Sequence, residues 1–452
     1  MGTITDLLNS RIMESQDKKL YLGAVIHSQN QNQVTIIPKA VLVVIDGKVA
    51  ALEPLMENSQ MGDIISRFEP NMITKLHDTQ FIIPGFIDTH IHAPQFPNAG
   101  VGYNMPLLEW LNRYTFPLES QYHDVSRAKV VYCDVVKRTL RCGTTTAAYF
   151  GTIHADSCIM LAEAARLSGQ RALVGKVCMD QNCPADLKEE TEQSIQNTEV
   201  FINTLLNNGD ALVRPIITPR FALTSSEELM SRLGQLANRF DLHIQTHLSE
   251  NADEVKEVKK KFPNAKNYAD VYERAKLLTR KTIVAHCVHL EDSEIELLRE
   301  KRCSVAHCPD SNLCLRSGLC DVRRLLNVGV NVSLGTDVAG GSSHSMLDTM
   351  RSCINTSIAL SFIYPDYTPL SYHEAFYLAT MGGAKALDME DKLGNFEVGK
   401  WFDAMVVDTR NYPMTLNPQL SISELFEKFI YMGDDRNIHR TYVNGKNVQV
   451  HF

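Results

Sequence analysis

The sequence has no Cys-x-x-Cys pair, no apolar run near the ~20 residues that span a bilayer, and no basic cluster longer than Lys259 to Lys261. Its eleven cysteines are odd in number and scattered through apolar segments, so neither a disulfide lattice nor a thiolate zinc knuckle is expected. A reducing compartment, the cytoplasm, suits them. The opening residues MGTITDLLNSRIMESQDKKL lack a signal-peptide apolar core, and Gly2 is followed at the critical position by Asp6 rather than Ser or Thr. No membrane association is expected. A net charge of −8 with a pI near 6.0 leaves no footprint for nucleic acid, and the three lysines read as a solvated helix face. The paired H-x-E and P-C-x-x-C signature of one deaminase fold is missing too: the nearest strings, HAD at 154–156 and CPAD at 183–186, do not match it.

What is present is a rhythm. A chain of 452 residues exceeds the usual single core and suggests one large domain with a smaller one. Short alternating strands fill roughly residues 20 to 80 (KLYLGAVIHS, KAVLVVIDGKVAAL, DTQFIIPGF), and the same texture returns in KWFDAMVVDT and YVNGKNVQVHF. Neither end has enough strands to close a core, so residues 1–79 and 391–452 are expected to pair as one small β-domain. Its last strand would include Val450, His451 and Phe452. Residues 80–390 alternate strand and helix, with strands expected at 81–90, 143–150, 171–179, 211–219, 242–249, 282–289, 303–308 and 330–336. Between them, segments such as SCIMLAEAARLSG and EELMSRLGQLANRF carry helical apolar spacing. The fold class is therefore α/β, a (β/α)8 TIM-like barrel.

The chemistry sits at strand ends. In PGFIDTHIH, His90 and His92 are two apart on an apolar strand and so share a face, where they can grip one ion. His247 ends LHIQTH, His286 ends TIVAH, His307 ends CSVAH and Asp337 ends VNVSLGTD. The C-terminal ends of barrel strands are where such folds place reacting groups. One histidine after an apolar run is commonly a satisfied core residue, but this recurrence is hard to assign to chance. Imidazoles with a carboxylate and no thiolate suit a catalytic zinc ion, one per chain, with iron as second choice. A divalent ion lowers the pKa of bound water to about 7, so hydrolysis of a small molecule is the expected reaction class. Glu250, in HLSE, stands where it can carry a proton without ligating the ion; as a plain helix-start residue it needs no such role. Asp337 can ligate and also accept a proton.

PGFIDTHIH, THLSE, AHC, AHCPDSN and LGTDVAGG together resemble the metal-dependent amidohydrolase superfamily, in its mononuclear deaminase branch. HAPQF, LLEWLNRYTFP, PRFAL, CPDSNLCLRSG and GTDVAGGSSHSML are similar to the guanine deaminases within it. The resemblance implies zinc ligation by His90, His92, His247 and Asp337, with His286 as a further ligand or a group that orients water. It implies guanine contacts from Gln95, Arg220 and Phe221, beside His92, Glu250 and Asp337, and a catalytic set of Glu250, Asp337 and His286 in which Glu250 transfers the proton. The implied reaction is hydrolytic deamination of guanine to xanthine and ammonia, by a homodimer. Apart from the resemblance, Arg220 reads as solvent-facing, Phe221 as core and Gln95 as a loop cap. Trp110 and Tyr114, four apart, read as ordinary packing before a lid. His307 reads as pocket support, and Asp310 has no assignment.

Three alternatives follow from the same strings. Another amino-heterocycle, such as a nucleoside, pterin or triazine, fits the scaffold. A two-metal site would need a bridging lysine, for which Lys176 in ALVGKVCM is the strand candidate. A non-catalytic scaffold protein would have lost ligands, and none is missing here.

Overall fold

The computed structural model describes residues 15, 17–55, 62, 65–411 and 419–448. The segment Val450 to Phe452, expected to complete a strand, lies outside them.

The barrel starts at strand Phe86–His92, paired in parallel with Thr144–Phe150, which pairs with Arg171–Gly175 and that in turn with Val213–Pro215. Val177–Cys178 and Thr218–Pro219 extend the third and fourth strands, and an Ile217–Ile244 bridge leads to Ile244–Leu248. Thr282–His286, Ser304–His307 and Asn331–Leu334 complete the parallel run. The ring closes where Thr89 Oγ1 donates to the Leu334 carbonyl at 2.9 Å and the Asp337 amide donates to the His90 carbonyl at 2.8 Å.

Local sequence explains the helices between strands. Glu227–Phe240 begins where Ser226 accepts a hydrogen bond from the Leu229 amide, buries Leu229, Met230, Leu233, Leu236 and Ala237 along one stripe, and ends at Asp241 with φ +51°. Ile87, Ala148, Leu173, Ile283, Ala285 and Ala306 of the barrel strands form an apolar cluster with Ile216, Leu387 and Leu393.

The expected strand boundaries shift for identifiable reasons. The strand expected over 81–90 is two strands in two sheets. Gln80–Pro84 pairs antiparallel with Ala404–Asp408 and parallel with Lys18–Asn30, whereas Phe86 donates its amide to Gly143 in the barrel at 2.9 Å. The chain changes sheets at Gly85, where a Cβ would stand 2.1 Å from Thr145 Oγ1. A division at residue 79/80 thus falls one strand early. The strand expected to reach 289 stops at His286, because His286 and Cys287 take φ +71° and +53°; Ser249, at +49°, ends the one expected to reach 249.

The chain ends share one sheet. Lys18–Asn30, Gln33–Ile45 and Lys48–Pro54 form an antiparallel meander, and Ile73–Lys75 also joins Lys18–Asn30. On the other side, Ala404–Asp408, Ile438–Val443 and Lys446–Asn447 continue from Gln80–Pro84. This part is not all β: helix Ile422–Met432, capped by Ser421 and Glu424, buries Leu425, Phe426, Phe429 and Ile430. Among the described residues, no helix is long and apolar enough to cross a membrane.

Candidate functional site

Strand alternation brings His90 and His92 to the same face of Phe86–His92, with Ile91 between them turned into the apolar core. Their Nε2 atoms lie 3.2 and 3.4 Å from Asp337 Oδ1. His247 Nε2 is 3.1 Å from His92 Nε2, and His286 Nε2 is 3.8 Å from Asp337 Oδ2. Candidate ligand atoms of His90, His247 and His286, and of His90, His92 and Asp337, form two sets, each within 4.8 Å. All five residues are buried. His286 and Asp337 carry positive φ, +71° and +48°, so the chain turns sharply at both strand ends and aims their side chains inward.

The surroundings prepare these groups for a cation. His247 Nδ1 lies 2.7 Å from the Arg220 carbonyl and His286 Nδ1 lies 2.9 Å from Asn312 Oδ1. A carbonyl and an amide oxygen only accept, so both Nδ1 atoms carry a proton and both rings turn Nε2 toward the cluster. Burial pushes the His90, His92 and His247 imidazoles below their ordinary pKa, which keeps them neutral. Buried Nε2 atoms of His90 and His286 make no hydrogen bond among the described residues. Burial raises the Asp337 pKa, but the His90, His286 and His92 rings outweigh it and hold the carboxyl well below the usual range. Neutral imidazoles with bare nitrogens and an ionised carboxylate, buried together, fit a divalent metal ion.

Glu250 lies beside this cluster, its Oε2 3.4 Å from His286 Nε2 and its Oε1 accepting from Ser317 Oγ at 3.3 Å. Burial first, then the nearby Asp337 and Glu254 charges, pushes its pKa well above that of an ordinary glutamate. The neighbouring Asp337 carboxyl is shifted the opposite way, and opposed shifts are how paired carboxyls come to divide acid and base work. Glu254 fixes the segment, accepting from the Glu250 amide at 3.0 Å and from Tyr268 Oη at 2.7 Å.

A cavity opens above the cluster. His92, His247, His286, Asp337 and Glu250 form its polar floor, while Gln95, Arg220, Phe221, Trp110 and Leu111 stand in its walls. Arg220 and Gln95 are buried, not solvent-facing. Trp110 is buried, donates Nε1–H to the Val101 carbonyl at 2.9 Å and lines the cavity. Tyr114 packs against Gly102 instead.

Other candidates fall outside. Lys176 is buried and paired with Glu189 at 2.5 Å, away from the cavity lining. His307 is buried, neither ring nitrogen is hydrogen-bonded among the described residues, and burial pushes its pKa down to about 3. Asp310 ties two loops, its Oδ2 accepting from the amide and hydroxyl of Ser342 at 2.5 and 2.7 Å. Two residues with clear roles had no sequence assignment. Asp88 accepts from Thr336 Oγ1 at 2.5 Å and the Thr336 amide at 3.1 Å, locking the first and last barrel strands together beside the ligands. Glu119, fully buried, pairs with Arg220 and accepts from Gln95 Nε2 at 2.9 Å. No local pattern marks Glu119; the Asp in FIDTHIH at least shares a strand with the histidines.

Comparison with known proteins finds a family model described as "Amidohydrolase family" matching residues 81–448. A guanine deaminase of Dictyostelium discoideum is 43% identical over 441 residues, 95% of this chain and 98% of that protein. The Homo sapiens guanine deaminase is 45% identical over 439 residues, 95% of this chain and 96% of its own. A crystal structure of guanine deaminase from C. acetobutylicum with guanine in its active site superposes with a TM-score of 0.89 at 38% identity, covering 95% of this chain and 100% of that one.

Proposed function

This chain belongs to the amidohydrolase family and, within it, to the guanine deaminases, and from that footing we propose how its own residues deaminate guanine to xanthine and ammonia. The observation that carries the reading is the convergence of four histidines and Asp337 beneath a cavity walled by Arg220, Gln95 and Phe221. His90, His92, His247 and Asp337 would hold a zinc ion, iron being the second choice, with His286 as a further ligand or as the group that orients water. When bound, such an ion supplies water that ionises near neutral pH.

Phe221 offers a flat apolar face to the purine ring, and Arg220 and Gln95 offer N–H donors to its carbonyl edge. Asp337, ionised, accepts the proton of the attacking water at a carboxylate oxygen. Glu250, protonated, gives its proton to the ring nitrogen beside the carbon that bears the exocyclic amine. That carbon becomes tetrahedral. Asp337 then gives its proton to the amine, which leaves as ammonia, while the new hydroxyl passes its proton to Glu250 and becomes the xanthine carbonyl, so both groups are restored. His286, 3.4 Å from Glu250 and 3.8 Å from Asp337, sits between the two proton carriers.

The burial of eight of the eleven cysteines, all of them free, supports a reducing, cytoplasmic location. Family resemblance supports a homodimer, which sedimentation would register as about twice the chain mass of 50.8 kDa. The functional test is ammonia release from guanine, adenine, cytosine and a nucleoside, with and without a chelator. Release from guanine alone, abolished by the chelator, is expected; release from another compound with guanine untouched overturns the reading.

A further inference from the structure

One buried ion pair is built into the cavity wall and takes no part in the proton transfers. Glu119, at the end of helix Phe116–Glu119, is 0% exposed, and Arg220 is 2% exposed. Glu119 Oε2 accepts from Arg220 Nη1, and its Oε1 accepts from Arg220 Nη2 at 3.2 Å and from Gln95 Nε2 at 2.9 Å. Gln95 Oε1 in turn accepts from the Ala339 amide at 3.2 Å.

These partners leave Gln95 a single orientation. A peptide N–H only donates and a carboxylate only accepts, so the amide oxygen belongs to Ala339 and the amide nitrogen to Glu119. A guanidinium has five N–H donors and no acceptor, and Glu119 engages two of its nitrogens in a fork. Arg220 thus brings only donors to the wall it shares with Gln95. A buried guanidinium also needs a countercharge to remain there, and Glu119 is the carboxylate bonded to it.

We propose that Glu119 is a positioning residue that sets substrate specificity: by holding Arg220 and fixing the Gln95 amide, it makes this wall donate hydrogen bonds, so that it takes a purine bearing an oxo group and rejects one bearing an amino group there. The inference rests on the guanine reading above and deepens it. Replacing the carboxylate by an amide gives position 119 its own N–H donors. Only the Ala339 amide then holds Gln95, and a turned Gln95 offers an amino group an acceptor.

The test compares kcat/KM for guanine and for 2,6-diaminopurine, which carries an amino group in place of the oxo group, in the metal-loaded wild type, E119Q and E119D. In E119Q the guanine KM should rise with kcat nearly constant, and the guanine-to-diaminopurine ratio should fall by about tenfold or more. E119D keeps the charge on a shorter arm, and its ratio should lie between the other two. A change in thermal midpoint alone would mark a merely structural role. A ratio in E119Q within about twofold of wild type, or a guanine defect wholly in kcat, overturns the proposal. Should E119Q not fold, an unchanged ratio in E119D overturns it instead. A wild-type enzyme that leaves guanine untouched defeats the functional reading and this one with it, whereas an active wild type with an unmoved ratio defeats this one only.

Discussion

At the scale of single residues, two neighbouring carboxyls are pushed in opposite directions because their surroundings differ. Glu250 faces burial and like charge, while Asp337 faces imidazoles. Removing the acid should therefore slow chemistry more than binding. Glu250→Gln is expected to lower kcat by about 10²- to 10⁴-fold with little change in KM, measured by initial rates of ammonia release; a rise in KM at full kcat would contradict the role. Arg220 is different, since it pairs with a buried carboxylate as well as facing the cavity. Arg220→Met should raise KM and also lower stability by about 3–5 kcal/mol, the usual loss when one partner of a buried pair is removed. Denaturant melts would show the second effect, and an unchanged midpoint would deny it. The legible residues were those at ends of apolar runs, where the strand period itself says which way a side chain points: His90, His92, His247, His286 and Asp337 come together in the structure. Glu119 was not legible, because its partners Gln95 and Arg220 lie 24 and 101 residues away in sequence and its own segment, FPLES, reads as any helix end.

At the scale of elements, the site depends on how tightly strand ends approach each other. Gly335 follows strand Asn331–Leu334, and a Cβ there would lie 2.7 Å from His90 Cβ and 3.0 Å from the His90 carbonyl. Gly335→Ala should thus displace His90, a member of the proposed metal set, without touching the proposed proton carriers. The expected result is a loss of about 1–3 kcal/mol, typical of overpacking, together with reduced metal content after dialysis. Full metal content and wild-type stability would show that the strand ends have slack. Element existence was readable from apolar period, but element ends were set by contacts the sequence does not display. Gly85 lies between two strands where Thr145 leaves no room for a Cβ, and only the sheet pairing reveals that Gln80–Pro84 leaves the barrel. Helix Ile422–Met432 could have been read, since Ser421 and Glu424 form a capping box ahead of Leu425, Phe426, Phe429 and Ile430. The expectation of an all-β C-terminal part obscured it.

At the scale of the whole molecule, burial of neutral histidines ties stability to pH. Burial pushes His27 and His243 each down to about 4, from about 6.5 in an unfolded chain. Between those values the unfolded chain binds protons that the folded chain refuses, so their contribution is intact above pH 6.5 and is lost as pH falls toward 4. Asp88, raised to about 6 by burial, acts in the opposite sense, so the informative quantity is a difference. The double variant His27→Gln, His243→Gln should lose less stability than wild type between pH 7 and about 4.5, by urea midpoints; parallel curves would contradict the assignment.

The most direct measurement is a titration of metal-depleted protein with zinc, following metal content and guanine turnover in the same samples. Turnover should be absent at the start, rise in proportion to bound zinc and level off at one ion per chain. Full turnover by the depleted protein, or none from protein carrying its full ion, would contradict the assignment of these histidines and Asp337 to a metal-assisted guanine deaminase site.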